Sequence, residues 1–210
     1  MKLKAGIMGL GNIGSLFDED PGRKEVWSHV GAYLASPGVD IVAGAEPDIT
    51  RLNKFAQRCP QAKPYQDYGE MLKDNRLDIM SICSPTDTHF EILSRTVEAE
   101  VKAIFCEKPI ASRGEDARQM VDICQAKKVI LAVNYTRRWD QNYRRVKEYI
   151  DQGKIGEIRS IIGNYSDKVF MMGTHLVDML RFFGGEVDWV IGEGQNLDAD
   201  DPGISGLLLF

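Results

Sequence analysis

The sequence predicts an α/β fold: a doubly wound parallel sheet covered by helices, followed by the first part of an α+β second domain. Three observations predict it. Short β-branched or apolar runs alternate with longer amphipathic ones through about residue 134, the pattern of a parallel sheet with crossover helices. Gly9-Leu10-Gly11-Asn12-Ile13-Gly14 follows the first of those runs. There a strand must turn tightly and let its backbone approach a pyrophosphate, which is the mark of a Rossmann sheet. Beyond Asn134 the alternation gives way to a highly charged stretch, so the first domain is assigned to residues 1–134 and the second to 135–210.

Residues 3–8 read as the first strand, 26–36 as a helix stopped by Pro37-Gly38, and 39–45 as the second strand. Asp48 is placed to cap a helix running to about Arg58. Residues 77–83 have the composition of a buried strand, 90–99 of a helix and 101–106 of the next strand. Ser112-Arg113-Gly114-Glu115 has the form of a capping box that opens a helix to about Lys127, after which 129–133 returns as a strand. That makes at least five strands. In the second domain the pattern predicts a helix over 137–151 closed by Gly153, a strand over 158–165, a helix over 175–183 closed by Gly184-Gly185, and a strand over 187–191. The last residues, Gly206-Leu207-Leu208-Leu209-Phe210, form an apolar strand with no charged tail. An uncovered edge of that kind invites aggregation, so the second domain is expected to be incomplete in this chain. Trp27, Tyr33 and Phe55 are core candidates, and His29 is read as a packed or capped histidine.

At 210 residues the chain has room for one full α/β domain and part of another, since domains cluster near about 100 to 150 residues. Its 43% hydrophobic and 27% charged residues and net charge of -5 place it among ordinary globular proteins and away from the basic balance of nucleic-acid binders. No nucleic-acid partner is expected. Cys59, Cys83, Cys106 and Cys124 are separated by 24, 23 and 18 residues, which matches no zinc or redox CxxC spacing, so they are read as reduced, buried thiols with no metal site. After Met1-Lys2-Leu3-Lys4 glycines break the apolar stretch within a few residues, which leaves no signal-peptide h-region. No run approaches the roughly 18 apolar residues of a membrane span. The expectation is a cytoplasmic protein with no membrane partner.

The candidate dinucleotide site is the loop holding Gly9, Gly11, Asn12, Ile13 and Gly14, where free N–H groups at a helix start would meet phosphate. A plain strand-to-helix turn is the alternative. Glu46, at the end of the second strand, stands where a carboxylate would accept from the adenosine ribose hydroxyls and repel a 2'-phosphate, favouring NAD over NADP. It falls 32 residues beyond Gly14, and residues 17–27 account for the extra length. Arg51 close by leaves NADP open, and a solvent-facing Glu46 is the competing reading. Glu107-Lys108-Pro109 comes straight off the strand at 101–106, at the sheet edge where ligands of such folds bind. Arg137 and Arg138 follow the last strand of the sheet. They could hold substrate hydroxyls or a carboxylate, with ion pairs to Asp140 and the following charged helix the slightly favoured alternative.

Gly9 to Gly14, Ser84-Pro85-Thr86 with His89, Glu107-Lys108-Pro109, residues 134–139 and Gly173-Thr174-His175-Leu176-Val177-Asp178 together resemble the glucose-fructose oxidoreductase, inositol dehydrogenase and MocA family over nearly the whole chain. The resemblance implies that Lys108 projects beside nicotinamide and substrate, aimed by a cis Pro109. It also implies that Ser84, Pro85, Thr86, His89 and Glu107 line the cofactor cleft, and that His175 acts with Lys108 as a proton shuttle. Lys108, Arg138 and His175 are then the substrate-binding groups. One position departs from the pattern. The family commonly carries an aspartate four residues before this histidine, and here Met171 stands there, unable to take a proton or a strong hydrogen bond. Asp167 would substitute only if its loop folds back, and Asp178 reads as a residue that packs or orients.

The resemblance implies an NAD(P)-dependent dehydrogenase that moves a hydride between the nicotinamide and a secondary alcohol or ketone of a sugar, cyclitol or related polyol. The second reading is a non-catalytic dinucleotide sensor or regulatory protein on the same fold, which Met171 and the short second domain allow. A homo-oligomer formed through the second domain is left open.

Overall fold

The computed structural model describes residues 2–166, 168–195 and 203–210 and divides into two compact units, Met1–Asn134 and Tyr135–Phe210. In the first unit, β1 (Leu3–Met8), β2 (Val39–Ala45), β3 (Lys63–Tyr65), β4 (Ile79–Ile82), β5 (Ala103–Cys106) and β6 (Ile130–Val133) form one parallel sheet in the order β3-β2-β1-β4-β5-β6. This is the Rossmann order, with its switch point between β1 and β4. The helices are α1 (His29–Leu34), α2 (Ile49–Arg58), α3 (Tyr68–Asp74), α4 (His89–Glu98) and α5 (Gly114–Ala126). Two separate apolar clusters fill the layers. Ile7, Leu10, Val30, Leu52 and Phe55 lie under α1 and α2, while Met71, Met80, Ile82, Leu93, Ile104 and Met120 lie under the other three helices. Burial on both faces explains why these strands read as continuous apolar runs.

The sheet has six strands, within the expectation of at least five; the one with no counterpart in the sequence reading is β3, which spans only three residues, Lys-Pro-Tyr, too few to show a period. Helix α3 also went unassigned, although its cap is visible in the sequence: the Asp67 carboxylate accepts from Glu70 N at 2.9 Å. Asp48 caps α2 as expected, accepting from Thr50 N and Arg51 N. The expected capping box of α5 does not form. The residue before that helix is Arg113, with no side-chain bond to the backbone, and Glu115 pairs instead with the Arg113 guanidinium.

The glycine-rich loop does not lead into one continuous helix. Ser15 N and Leu16 N donate to Gly11 O, and Phe17 N donates to Asn12 O, closing one helical turn before a 3-10 turn at Leu16–Glu19. The chain then loops out and returns so that His29 N and Val30 N donate to Ile13 O and Gly14 O at 3.0 and 2.9 Å. Helix α1 thus resumes the turn that the loop began, and the excursion lengthens the path to Glu46 without displacing the strands. Asp18 pins the returning end: its carboxylate accepts from Trp27 N at 2.7 Å, Ser28 N at 3.0 Å, the Ser28 hydroxyl and the Arg58 guanidinium. Burial opposes its ionisation, but the bonds from Arg58, Ser28 and Trp27 outweigh it and hold the carboxyl at about 2. The expected helix over 26–36 is therefore only six residues long. Trp27 is half exposed and packs over Arg23 rather than entering the core, whereas Phe55 is fully buried.

In the second unit a 3-10 turn, Thr136–Trp139, precedes α6 (Gln141–Asp151). The helix starts four residues later than expected because Asp140 caps it, accepting from Asn142 N and Tyr143 N. A π-helical turn at Val169–Gly173 leads into α7 (Thr174–Gly184), which ends at Gly185 with φ +103°. The strand expected over 158–165 is absent; that segment has no regular structure, since a strand persists only where a neighbour takes its hydrogen bonds. The hairpin β7 (Trp189–Gln195) and β8 (Gly203–Leu209) is antiparallel. Among the described residues no helix is long and apolar enough to cross a membrane, and no cluster of three His, Cys, Asp or Glu is arranged to hold a metal ion. All four cysteines are free, and burial pushes their thiols up.

Candidate active site

Five backbone bonds set the carboxyl edge of the sheet. Gly9 N donates to Ala45 O, Cys83 N to Met8 O, Glu107 N to Ile82 O, Asn134 N to Cys106 O and Glu46 N to Tyr65 O, all between 2.7 and 3.0 Å. They bring the glycine loop, Glu46, Ser84 to Thr86, Glu107-Lys108 and Asn134 to one edge, although the sequence spreads these residues over more than half the chain. The Lys108-Pro109 bond is cis.

The three glycines of the loop do different work. Gly9 has φ +87°, and a Cβ there would lie 2.6 Å from the Cys83 carbonyl carbon. A Cβ on Gly14 would lie 2.0 Å from Gly9 O. These two glycines serve the turn's own packing. A Cβ on Gly11 would meet only the Arg51 guanidinium, at 3.6 Å, so no protein atom requires glycine there. Among the described residues, nothing accepts from the N–H groups of Gly11, Asn12, Ile13 or Gly14. Four consecutive unused donors beside an open approach form an anion cradle, and the pyrophosphate of a dinucleotide fits it.

Glu46 is buried rather than solvent-facing. One carboxylate oxygen accepts from Leu10 N at 2.8 Å and the other from Asp48 N at 3.1 Å, so it braces the loop and keeps lone pairs for a further donor. Two of the cofactor contacts expected above need correction. His89 is 1% exposed; its ring bridges Ser84 O at 2.9 Å and Ile110 O at 3.1 Å, tying the loop after β4 to the loop after β5. The Glu107 carboxylate turns inward to His29 and Asn134. Both residues hold the cleft wall from behind instead of lining it. Thr88 donates to Ser84 Oγ at 2.7 Å and fixes the 3-10 turn that Thr86 opens, while Pro85 is exposed.

The second unit holds its own cavity, of about 310 Å³, lined by Arg137, Tyr143, Asn164, Ser166, Met172 and His175, among others. His175 enters it from the first turn of α7, its ring edge-on to Tyr135 at 6.0 Å. Burial, and then the nearby Asp178, push the Tyr135 phenol up. Arg138 is engaged in an ion pair: its Nε donates to both oxygens of the buried Asp178 at 2.8 and 2.9 Å, and its guanidinium lies over Phe182. The ion-pair alternative holds for Arg138, with Asp178 of α7 as the partner and not Asp140. Arg137 faces the cavity in its place, with no ion pair among the described residues. Met171 is half exposed on the π-helical turn, and Asp167 lies outside the described residues. Arg137 is a candidate from the sequence; Asn164 and Ser166 carry no motif, and only their tertiary placement reveals them.

A six-stranded Rossmann sheet with an open anion cradle at its switch point defines a dinucleotide-binding protein. The chain belongs to the Gfo/Idh/MocA oxidoreductases, a family with an NAD-binding Rossmann fold, whose model matches residues 3–135. Among its relatives, inositol 2-dehydrogenase of Rhizobium meliloti is 32% identical over 95% of this chain, and myo-inositol 2-dehydrogenase of Thermotoga maritima is 28% identical over 97%. The chain spans 64% and 62% of their lengths. Among solved structures, an Agrobacterium radiobacter oxidoreductase in complex with NAD+, L-tartaric acid and magnesium superposes with a TM-score of 0.79 at 21% identity, covering 99% of this chain and 63% of that one. The scyllo-inositol dehydrogenase of Lactobacillus casei, with bound NAD(H) and scyllo-inositol, gives 0.75 at 23% identity, covering 94% of this chain and 61% of that one. At such identities the structural likeness speaks for the fold alone.

Proposed function

We propose that this chain carries the cofactor site and part of the substrate site of an NAD-dependent dehydrogenase acting on a secondary alcohol of a cyclitol, sugar or related polyol, or on the corresponding ketone. The observation that carries the reading is the row of four unused N–H donors at Gly11 to Gly14, on the same sheet edge as Lys108. When bound there, NAD supplies the hydride acceptor. Lys108 holds and polarises the reacting oxygen, and His175 takes the hydroxyl proton on an imidazole nitrogen. Arg137, Asn164, Ser166 and Tyr143 offer the hydroxyls of a polyol several donors and acceptors in a cavity of about 310 Å³, the lower end of the size range of small-molecule sites. Inositol, the substrate in the names of both relatives above, heads the panel to be tested. NADH formation from myo-inositol, scyllo-inositol and a set of aldoses and sugar acids tests the proposal. Tight NAD binding with no turnover across the panel would leave only a dinucleotide-binding protein.

Glu46 is proposed as the selector for NAD. Its carboxylate is fixed by the two backbone bonds, so a 2'-phosphate beside it would meet a negative charge that cannot swing away. Calorimetric titration is expected to give tighter binding of NAD than of NADP. Glu46→Ala should narrow the gap by about 1 to 2 kcal/mol, the scale of a charge-assisted hydrogen bond. Equal affinities in the unaltered chain would remove Glu46 from that role.

A further inference from the structure

A buried polar chain lies behind the Glu107-Lys108-Pro109 turn, and no step above uses it. Tyr33 OH of α1 lies 2.7 Å from Ser81 Oγ of β4, Ser81 Oγ lies 2.9 Å from Nδ1 of His29, and His29 Nε2 lies 2.9 Å from Glu107 Oε1. Asn134, just past β6, donates to the same Glu107 oxygen at 2.6 Å, and the second oxygen accepts the N–H of Lys108 at 3.3 Å. One placement of hydrogens satisfies the whole chain: Tyr33 donates to Ser81, Ser81 donates to Nδ1, and Nε2–H donates to Glu107. Burial pushes the Tyr33 phenol up to about 12, so it keeps its proton and remains a donor. Burial also opposes ionisation of Glu107, but the bonds from His29 and Asn134 outweigh it and hold this carboxyl below its usual range.

His29, Ser81, Glu107 and Asn134 are all buried. A buried carboxylate whose donors come from three separate places cannot rotate without leaving one of them unpaired, and each unpaired buried group is costly. Lys108 follows Glu107 directly in the chain, and its own N–H is one of those donors. Packing alone would be served equally by apolar side chains of similar volume; an ordered donor chain that ends on the carboxylate bonded to the backbone N–H of one lysine is not required for it.

We propose that His29 is a positioning residue for Lys108. Through Glu107 it fixes the backbone from which the lysine leaves the sheet, and with it the place of the amine at the carboxyl edge. Only the catalytic consequence rests on the function proposed above.

The test reads Lys108 itself. The NAD-saturated chain is treated briefly with an amine-acylating ester, and labelling of Lys108 is compared by mass spectrometry with that of Lys73, an exposed lysine on α3. His29→Ala is expected to raise Lys108 labelling several-fold toward the Lys73 rate. His29→Gln, whose amide nitrogen can take the place of Nε2, should restore the original ratio. His29→Asn reaches Ser81 but not Glu107 and should not restore it. Phe55→Leu, in the apolar cluster against which Tyr33 packs, lowers stability while removing no hydrogen-bonding group of the polar chain and should leave the ratio unchanged. Should His29→Ala fail to fold, Glu107→Gln carries the test, because an amide accepts through one oxygen only and must lose a donor. Unchanged Lys108 labelling in the folded variant, or an equal rise in Phe55→Leu, overturns the inference. Turnover separates it from the catalytic reading: full activity in Lys108→Ala with raised labelling in His29→Ala removes the catalytic role and keeps the positioning. If Lys108 is the reacting lysine, His29→Ala lowers kcat in the parent and adds nothing in a Lys108→Ala background.

Discussion

Lys108→Ala is expected to lower polyol turnover by roughly two to four powers of ten, the span of general acid/base effects, while NAD affinity changes little. The two effects separate because the groups differ. Dinucleotide affinity is assigned to the N–H cradle at Gly11 to Gly14 and to Glu46, which the substitution leaves in place. In the proposed reaction the lysine acts on the reacting oxygen, whose charge changes only as the bond to hydrogen breaks, so its loss would fall on kcat rather than on binding. His175→Ala should behave alike if His175 takes the proton. Steady-state rates and NAD titration of both variants provide the check, in the longest form of the protein that turns over a polyol. A Lys108→Ala enzyme that keeps most of its kcat would remove this residue from the chemistry.

Gly11→Val should weaken NAD binding by about 3 kcal/mol or more, roughly a hundredfold, the scale of two charge-assisted hydrogen bonds lost. Far-ultraviolet circular dichroism and Tm should remain near those of the parent. The reason is the asymmetry of the loop. A side chain on Gly11 meets only the movable end of Arg51, so the protein accommodates it, and the space it fills is the approach to four unused N–H donors. Gly14→Val is the contrasting case: its Cβ would lie 2.0 Å from Gly9 O, so the turn itself must break and Tm must fall. If Gly11→Val folds and still binds NAD tightly, the anion cradle is misplaced.

Much of the fold was legible because its signals are local. The apolar runs of β1, β2, β4, β5 and β6, the cap at Asp48 and the glycine turn each involve residues a few positions apart, where period and backbone sterics act directly. The misses follow from the same limit. β3 is too short to carry a period, and the segment 158–165 has strand-like composition but no ladder to join. The capping box at Ser112 has the right letters, but Glu115 pairs with Arg113 instead of reaching back to the backbone.

The sequence by itself determined the doubly wound sheet, the dinucleotide turn, the family and the two residues proposed for the chemistry, Lys108 and His175. Tertiary structure alone decided which arginine faces the cavity, for Arg138 is claimed by Asp178 forty residues away while its neighbour Arg137 is not. It decided that α1 resumes a turn begun before a looped-out segment, since the carbonyls of Ile13 and Gly14 find their donors only when His29 and Val30 return. It also decided that Glu107 faces inward, toward a histidine 78 residues earlier in the chain. The physical reason is common to all three. A charged or polar group takes the partner that satisfies it at lowest cost of desolvation, and that partner is set by which elements the fold brings within 3 Å, a distance that spacing along the chain does not encode.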